Sequence, residues 1–194
     1  MGGAIVGLLL AAGSSRRFGA NKLIQPLPDG RSVAVHSCRN LLAGTGNVLA
    51  VVRQESGPLA ACLRDEGAEV MEFAGADLGM GASLAFAVRS SAEAAGWLVA
   101  LADMPWIRPM TVGLLVDAMG RGAALVAPVY QGRRGHPVGF SAVFRDRLIS
   151  LSGDEGARSF LTEHAQVLTL REVDDPGILR DVDLPEDLRL HGRS

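Results

Sequence analysis

The sequence contains very little lysine. Of its 19 basic residues only Lys22 is a lysine, and all the others are arginine. Arginine presents a planar fork of donors, whereas lysine is a compact point charge on a flexible stem, and the two differ as phosphate partners. A chain that uses arginine everywhere else therefore indicates a chemical need at position 22 that arginine does not meet.

Other absences exclude whole classes of function. The net charge is −2 and no Lys/Arg run exceeds two residues, so no nucleic-acid partner is expected. Cys38 and Cys62 lack CxxC or metal-type spacing, which predicts reduced thiols in a cytoplasmic protein. The longest apolar stretch, Ala4–Gly13, is far shorter than the ~20 residues that span a bilayer, and two arginines follow it. We therefore expect neither a membrane partner nor a signal peptide.

The pattern of the remaining residues predicts an α/β fold in a single domain, 1–194. Ala4–Leu10 and Trp97–Ala102 are apolar enough to be strands buried on both faces. Ser32–Leu42 has helical spacing, with Gly44 as the expected helix end. Strands that alternate with helices indicate a doubly wound, mostly parallel sheet with helices on both faces, of the Rossmann-like type.

A glycine-rich loop follows the first strand within Leu10–Lys22. Ligands of doubly wound folds bind outside the carboxyl ends of the strands. Small residues at 11–15 leave backbone N–H groups uncovered, and successive amides of this kind form a concavity for phosphate oxygens. Arg17 and Lys22 add positive charge from the same loop. This combination predicts a site for a nucleoside triphosphate.

The glycine-rich loop has three alternative interpretations. A P-loop has four residues between its glycines and a Lys-Ser/Thr pair, but here five residues separate Gly13 from Gly19, and Leu23 follows Lys22. A dinucleotide fingerprint has the pattern GxGxxG and an acidic residue about 20 residues further on. Here the first pair of glycines is absent, and the acidic residue Asp29 belongs to the turn Pro28-Asp29-Gly30. A plain surface loop bearing arginines is the third alternative.

Acidic residues follow two further segments. Asp103 ends an apolar strand and precedes Met104-Pro105, where proline stops the ladder. It should stand at the carboxyl end of the sheet, where a carboxylate can hold Mg²⁺; the alternative is a turn-initiating aspartate bonded to its own backbone. In the second segment, Glu186 and Asp187 are expected as first-turn acids of a terminal helix.

Two more loops carry candidate binding residues. Within Leu78–Leu84, Gly81 lets a flat group approach the backbone, and Ser83 either caps a helix or donates to a base. Gly132–Val138 holds two arginines and a histidine flanked by glycines. Such a loop suits a phosphorylated acceptor, since arginine grips phosphate with two donors, although a turn without function has the same composition.

These motifs together resemble the MobA-like nucleotidyltransferase family. The glycine loop fits its LAAGxSxRxGxxK signature, and the chain is most similar to the branch of CTP:molybdopterin cytidylyltransferases. The guanylyl branch usually has LAGG where this chain has Leu10-Ala11-Ala12-Gly13, and the alanine favours cytidine. The other motifs are GMxxSL at 79–84, LxDMP at 101–105, RGHPV at 134–138, LxGDxGAR at 151–158 and DVDLPEDL at 181–188, where the family has DIDTPEDL.

The resemblance implies a reaction and its central residues. An NMP unit, foremost CMP from CTP, would be moved onto molybdopterin or molybdenum cofactor, with release of pyrophosphate. Arg17, Lys22 and Asp103 would be catalytic. Asp103 and Asp183 would hold Mg²⁺ or Mn²⁺. Leu184 replaces a threonine that is more frequent in the family, and this departure affects no metal ligand.

The resemblance also implies the binding residues and partners. The partners would be CTP or another NTP, a molybdopterin-type substrate, and a molybdoenzyme that receives the product or its chaperone. Transfer to another phosphorylated acceptor from GTP or another NTP, and a catalytically silent nucleotide-binding or cofactor-delivery module, are the alternatives. The nucleotide-binding residues implied are Leu10, Ala11, Ala12, Gly13, Ser14, Ser15, Gly79, Gly81 and Ser83, and the acceptor-binding ones are Arg134, Gly135, His136 and Arg158.

Overall fold

The structure, a computed structural model of the chain, describes residues 3–13, 18, 21–153 and 157–189. Strands and helices alternate through most of this length. Short 3₁₀ helices, including Lys22–Ile24, Ala76–Leu78, Pro176–Leu179 and Pro185–Arg189, lie in the connections. The main elements are β1 (Ile5–Ala11), α1 (Val33–Thr45), β2 (Val48–Arg53), α2 (Gly57–Asp65), β3 (Glu69–Phe73), α3 (Met80–Ser90), β4 (Gly96–Leu101), α4 (Pro109–Gly120), β5 (Leu125–Tyr130), β6 (Arg133–Arg134), β7 (Val138–Ser141), α5 (Arg145–Ile149), α6 (Ala157–Glu163) and β8 (Leu168–Glu172).

The strands form one mixed sheet in the order β3-β2-β1-β4-β7-β5-β6, and β8 also pairs with β5. β1 is parallel to β2 on one side and to β4 on the other. β7 is antiparallel to both β4 and β5, so β5 and its parallel neighbour β8 run in the same direction as β1. The predicted doubly wound, mostly parallel sheet is confirmed. Within the described ranges, β6 and β7 are the strands of opposite direction.

Helices cover both faces of the sheet, which explains why the inner strands are almost wholly apolar. Leu8 and Leu9 are neighbours in β1 and both are fully buried. Because side chains alternate across a strand, Leu9 belongs to the cluster of Leu41 and Leu115, whereas Leu8 belongs to that of Leu84 on the other face. Burial of each such leucine contributes about 1.5–3 kcal/mol. No helix in the described part of the chain is both long and apolar enough to cross a membrane.

The end of α1 differs from the prediction. The helix passes through Gly44 to Thr45, and Gly46 terminates it with a φ of +76°, a left-handed conformation that favours glycine. Gly44 instead lies where α1 packs against α4, and a Cβ at this position would be 2.3 Å from Cγ1 of Val112. The predicted helix stop is therefore wrong, because Gly44 is a close packing contact.

Gly44→Ala is expected to destabilise the protein by about 1–3 kcal/mol, because the added methyl group forces the two helices apart. Gly113→Ala is the matched control, since Gly113 lies within α4 and a Cβ there meets nothing within 4 Å. The control should be neutral or stabilise by up to about 1 kcal/mol through helix propensity. Urea unfolding compares the two, and equal stabilities would contradict the packing role of Gly44.

Candidate active site

The carboxyl ends of β1 and β4 lie side by side, because the two strands are parallel neighbours. Leu10 pairs with Leu101, and the Ala102 N–H donates to the Leu10 carbonyl oxygen at 3.1 Å. The glycine loop that follows Ala11 and the residue Asp103 therefore start from the same edge of the sheet. In doubly wound folds this edge is where ligands bind.

A backbone hydrogen bond joins the C-terminal acidic segment to the end of β4. The Val182 N–H donates to the carbonyl oxygen of Asp103 at 2.8 Å, which brings the neighbouring Asp183 to the same place. The Asp187 carboxylate accepts from the N–H groups of Asp183 at 3.0 Å and of Leu184 at 2.8 Å. Asp187, expected only as a first-turn acid, thus holds the turn that presents Asp183.

Helix α1 also fixes the loop around Asp103. The Ser37 hydroxyl donates to the Ala102 carbonyl oxygen at 2.9 Å, and the Asn40 side-chain amide donates to the Pro105 carbonyl oxygen at 2.9 Å. These bonds flank Asp103 and leave its backbone little freedom. Sequence reasoning missed Ser37 and Asn40. The sequence feature that could have identified them is a polar side chain within a helix that packs against the sheet.

Asp175 is a second anchor that the sequence did not reveal. Its residue is 2% exposed, and its carboxylate accepts from Thr111 Oγ1 at 2.6 Å, Arg108 N at 2.8 Å and Gly177 N at 3.0 Å. A buried carboxylate needs such partners. These bonds tie the chain that leads toward Asp183 to the start of α4, so Asp175 supports the site without facing it.

The ammonium of Lys22 lies between the two carboxylates predicted to hold a metal. Its Nζ is 2.8 Å from Asp103 Oδ2 and 3.4 Å from Asp183 Oδ1, and its side chain is only 13% exposed. A short 3₁₀ turn sets its position. Asn21 Oδ1 accepts from the N–H of Leu23 at 3.1 Å, and the buried Leu23 side chain anchors the turn in the core.

The same contacts determine the charge of Lys22. Burial by itself lowers the pKa of the ammonium, but the hydrogen bond and charge of Asp103, followed by those of Asp183, outweigh it and raise the pKa above its ordinary value. Lys22 therefore stays positively charged throughout the neutral pH range. The sequence predicted phosphate as its partner, and the structure places it on the carboxylates beside the predicted phosphate loop.

The two carboxylates fit a hard divalent cation. Asp103 Oδ1 is buried and has no hydrogen-bond partner among the described residues, and the Asp183 side chain is 47% exposed. The described ranges contain no group of three or more His, Cys, Asp or Glu residues suited to a metal. Mg²⁺ commonly uses one or two carboxylates and completes its shell with water and substrate phosphate oxygens. The carboxylates of Asp103 and Asp183 are therefore enough protein ligands for such a cation.

A third acidic residue lies close by. The pKa of the Asp181 carboxyl is raised, first by burial and then by the negative charges of Asp183 and Asp103, with the charge of Lys22 opposing. Negative charge is thus concentrated at this corner of the site, and a bound cation would lower its electrostatic cost.

A cleft of about 370 Å³ opens beside these charged groups. Its volume lies in the range typical of small-molecule sites. Seven of the predicted site residues line it. The other described ones do not: Ala11, Gly81, Arg134, Gly135, His136 and Asp183. The lining residues are Leu10, Ala12, Gly13, Lys22, Leu23, Arg53, Ala76, Asp77, Gly79, Met80, Ser83, Leu101 and Asp103.

Arg53 and Asp77 are lining residues that sequence reasoning missed. Their side chains form an ion pair across the cleft wall, with Arg53 Nη1 2.8 Å from Asp77 Oδ1. Arg53 is the last residue of β2, at the same sheet edge as Asp103. Arg53 ends an apolar run, and this position could have predicted it as a site residue in the same way as for Asp103.

The start of α3 forms the far wall of the cleft. Gly79 is the N-cap residue of the helix, with a φ of +100°, and so no side chain caps the helix at this position. Ser83 is not a cap either: its buried hydroxyl donates weakly to the Gly79 carbonyl oxygen at 3.4 Å and faces the cleft. The backbone N–H of Gly81 donates to the Gly153 carbonyl oxygen at 2.9 Å, which ties the helix start to the segment before α6.

The RGHPV loop is held against the C-terminal segment. The N–H groups of Gly135 and His136 donate to the carbonyl oxygens of Pro128 and Ile178, each at 3.0 Å. A Cβ at Gly135 would lie 2.2 Å from the Ile178 carbonyl oxygen, so only glycine fits there. The His136–Pro137 bond is cis. This backbone places the imidazole of His136 within the electrostatic reach of Asp103.

His136 is neutral at physiological pH. Burial lowers the pKa of its imidazole, the negative charge of Asp103 opposes the change, and the positive charge of Arg134 adds to it, with a lowered pKa as the net result. Its Nδ1 atom is buried without a hydrogen-bond partner among the described residues. Arg134 itself is exposed. Of the other predicted site residues, Ser14, Ser15, Arg17 and the side chain of Arg158 lie outside the described part of the chain.

The lowered pKa of His136 predicts a loss of stability in acid. The unfolded chain takes up a proton near the ordinary histidine pKa of ~6.5 and the folded protein does so only at lower pH, so stability falls by about 1.4 kcal/mol per pH unit between the two values. His136→Gln removes this term. Urea unfolding at pH 7.5, 6.5 and 5.5 should show the variant gaining on the wild type as the pH falls. A constant difference would contradict the assignment.

The comparisons with known proteins establish the family. Residues 7–167 match the MobA-like NTP transferase domain. The chain belongs to this family and is a nucleotidyltransferase.

Two relatives cover almost the whole chain. One is the purine catabolism protein PucB of Bacillus subtilis (strain 168), 31% identical over 94% of this chain and 93% of the relative. The other is the nicotine blue oxidoreductase of Paenarthrobacter nicotinovorans, 29% identical over 95% of this chain and 94% of that protein. The two names describe different activities, so the family is what the chain shares with both.

A solved structure shows the same fold. The crystal structure of Rv0371c from Mycobacterium tuberculosis H37Rv aligns with a TM-score of 0.83 and 26% identity over 96% of each chain. A second crystal structure of Rv0371c, in complex with manganese, aligns with a TM-score of 0.75 and 23% identity over 96% of this chain and 94% of that one.

Proposed function

We propose that the chain transfers CMP from CTP to the phosphate of a molybdopterin-type acceptor and releases pyrophosphate. The observation that carries the proposal is the convergence of Lys22, Asp103 and Asp183 beside a cleft that the phosphate loop also lines. Support for cytidine comes from the alanine of the Leu10–Gly13 motif and from the GMxxSL segment. Support for the acceptor comes from the RGHPV loop, whose His136 is within the electrostatic reach of Asp103.

The reaction is an in-line displacement. An oxygen of the acceptor phosphate forms a bond to the α-phosphorus of CTP, and the bond from that phosphorus to the oxygen bridging the β-phosphate breaks. A phosphate acceptor is already ionised at neutral pH, so no general base is required. The protein contributes positioning and neutralisation of charge, which dominate catalysis of phosphoryl-group chemistry.

The site residues divide between the two substrates. The backbone amides at 12–15, with Arg17 and Lys22, would stabilise the phosphates and the departing pyrophosphate as fixed donors and charges. Asp103 and Asp183 would hold Mg²⁺ or Mn²⁺, which when bound supplies Lewis-acid neutralisation of phosphate charge. Gly79 and Ser83 would contact the base.

The acceptor would lie on the side of His136. Arg134 and Arg158 would bind its phosphate, and Gly135 would keep the loop close against Ile178, so that its neighbours Arg134 and His136 are held in position. His136 would lie beside the acceptor as a neutral imidazole, with its Nδ1 buried and without a hydrogen-bond partner among the described residues. The dinucleotide product would pass to a molybdoenzyme or its chaperone.

Pyrophosphate release tests the proposal. The purified chain is assayed with each of the four NTPs, with and without molybdopterin. Release that requires both CTP and molybdopterin is expected. Release with GTP or another NTP would reassign the base, release with a different phosphorylated acceptor would reassign the acceptor, and none under any condition would indicate a silent nucleotide-binding or cofactor-delivery module.

Lys22→Ala is expected to lower turnover at least about a hundredfold, because loss of one fixed charge or donor at the reacting phosphates costs about 3 kcal/mol or more of transition-state stabilisation. Lys22→Arg should also lose activity, since a planar fork crowds the phosphate oxygens and the cation. Arg39→Ala is the control: it removes an exposed ion pair with Glu66, 2.6 Å long and outside the cleft. Normal turnover in Lys22→Ala would rule out the proposed role.

A further inference from the structure

Lys22 occupies an oxygen of each of the two carboxylates that are proposed to hold the metal. Its Nζ contacts Asp103 Oδ2 and Asp183 Oδ1, and these oxygens belong to the same two side chains that fit a divalent cation. The ammonium is shielded from solvent here, with 13% of the side chain exposed. In this arrangement the Lys22 ammonium neutralises the two carboxylates.

An ammonium and a divalent cation are poorly compatible between the same pair of carboxylates. Mg²⁺ binds oxygen at about 2.0–2.1 Å and requires near-octahedral geometry, so its shell of oxygen atoms fills the space around each ligand. Two like charges in a partly buried site also repel strongly. Lys22 has a long flexible stem. The hydrogen bonds of its turn, from the Leu23 N–H to Asn21 Oδ1 and from the Gln25 N–H to the Lys22 carbonyl oxygen, fix the backbone. The side chain can therefore move while its backbone stays in place.

We propose that the Lys22 ammonium is a placeholder for the divalent cation between Asp103 and Asp183, and that it is released toward the nucleotide phosphates only when the cation binds. The proposal rests on the metal site proposed above. It explains why one residue can be the partner of two aspartates and still serve as a phosphate ligand. It also explains the preference for lysine, because an arginine held by both carboxylates through its fork would be released less easily.

The proposal has a thermodynamic consequence. If cation binding expels the ammonium, removal of the ammonium must strengthen cation binding by the same coupling free energy. Neutral Lys22→Gln should therefore bind the cation more tightly than the wild type, although it is expected to be a poor enzyme. Loss of activity and gain of metal affinity in one variant is a combination that a merely structural lysine would not produce.

The first measurement is Mn²⁺ affinity without nucleotide, from the electron paramagnetic resonance signal of free Mn²⁺. Lys22→Gln is expected to bind Mn²⁺ at least tenfold more tightly than the full-length wild type, and Lys22→Arg no more tightly than the wild type. Asp103→Asn should lose most of the affinity. Equal affinities of Lys22→Gln and wild type, within twofold, would overturn the proposal.

The second measurement uses the wild type alone and so does not depend on the folding of a variant. Because Lys22 is the only lysine, amine acetylation reports on one side chain, with the α-amino group of the chain as internal reference. Saturating Mg²⁺ should raise the acetylation rate of Lys22 at least threefold relative to that reference, and addition of CTP should lower it again. An unchanged rate with Mg²⁺ would mean that the lysine and the cation coexist, with the cation on Asp103 Oδ1, and would overturn the proposal.

The two measurements also separate this proposal from the proposed function. If Asp103→Asn and wild type bind Mn²⁺ equally, the metal site itself is wrong and both fail. If Asp103→Asn loses Mn²⁺ while neither Lys22→Gln nor acetylation responds, the metal site stands and only the placeholder role fails.

Discussion

The contact of the Lys22 ammonium with Asp103 and Asp183 is the interaction on which the site depends. It joins three segments that are far apart in the chain: the end of the glycine loop, the end of β4 and the C-terminal acidic segment. Neighbouring carboxylates repel one another without a cation, and the negative charges of Asp183 and Asp103 add to burial in raising the pKa of Asp181. The single positive charge of Lys22 therefore stabilises the point where these three segments meet.

The residues around this contact hold its partners in position. Ser37 and Asn40 bind the backbone on either side of Asp103, Asp187 binds the turn of Asp183, and Asp175 fixes the segment that leads to it. The bonds of Ser37, Asn40 and Asp187 are to backbone groups, so the backbone that carries Asp103 and Asp183 is positioned before any ligand binds. Such preorganisation is what charge stabilisation in a transfer reaction requires. The long side chain of Lys22 is the adjustable part of the arrangement.

Much of this could be predicted from the sequence because it depends on local pattern. The alternation of buried strands and helices predicted the sheet type, and apolar runs that end in Asp103 or in the glycine loop predicted which residues meet at its edge. The prediction for Gly44 was wrong because a glycine that ends a helix and a glycine that lets two helices touch look the same in the sequence. Only the 2.3 Å approach of Val112 separates them.

The sequence by itself determined the fold class, the residue types that carry charge and the unusual status of its one lysine. The tertiary structure alone decided which of these residues touch. The contact of Lys22 with both carboxylates depends on the Val182–Asp103 hydrogen bond and on the pairing of β1 with β4, both of which connect distant parts of the chain. Arg53 and Asp77 likewise reach the cleft through the pairing of strands that are distant in the chain. Local composition sets the chemistry of each segment, whereas long-range pairing sets the distances between charges, and Coulomb energies depend on those distances.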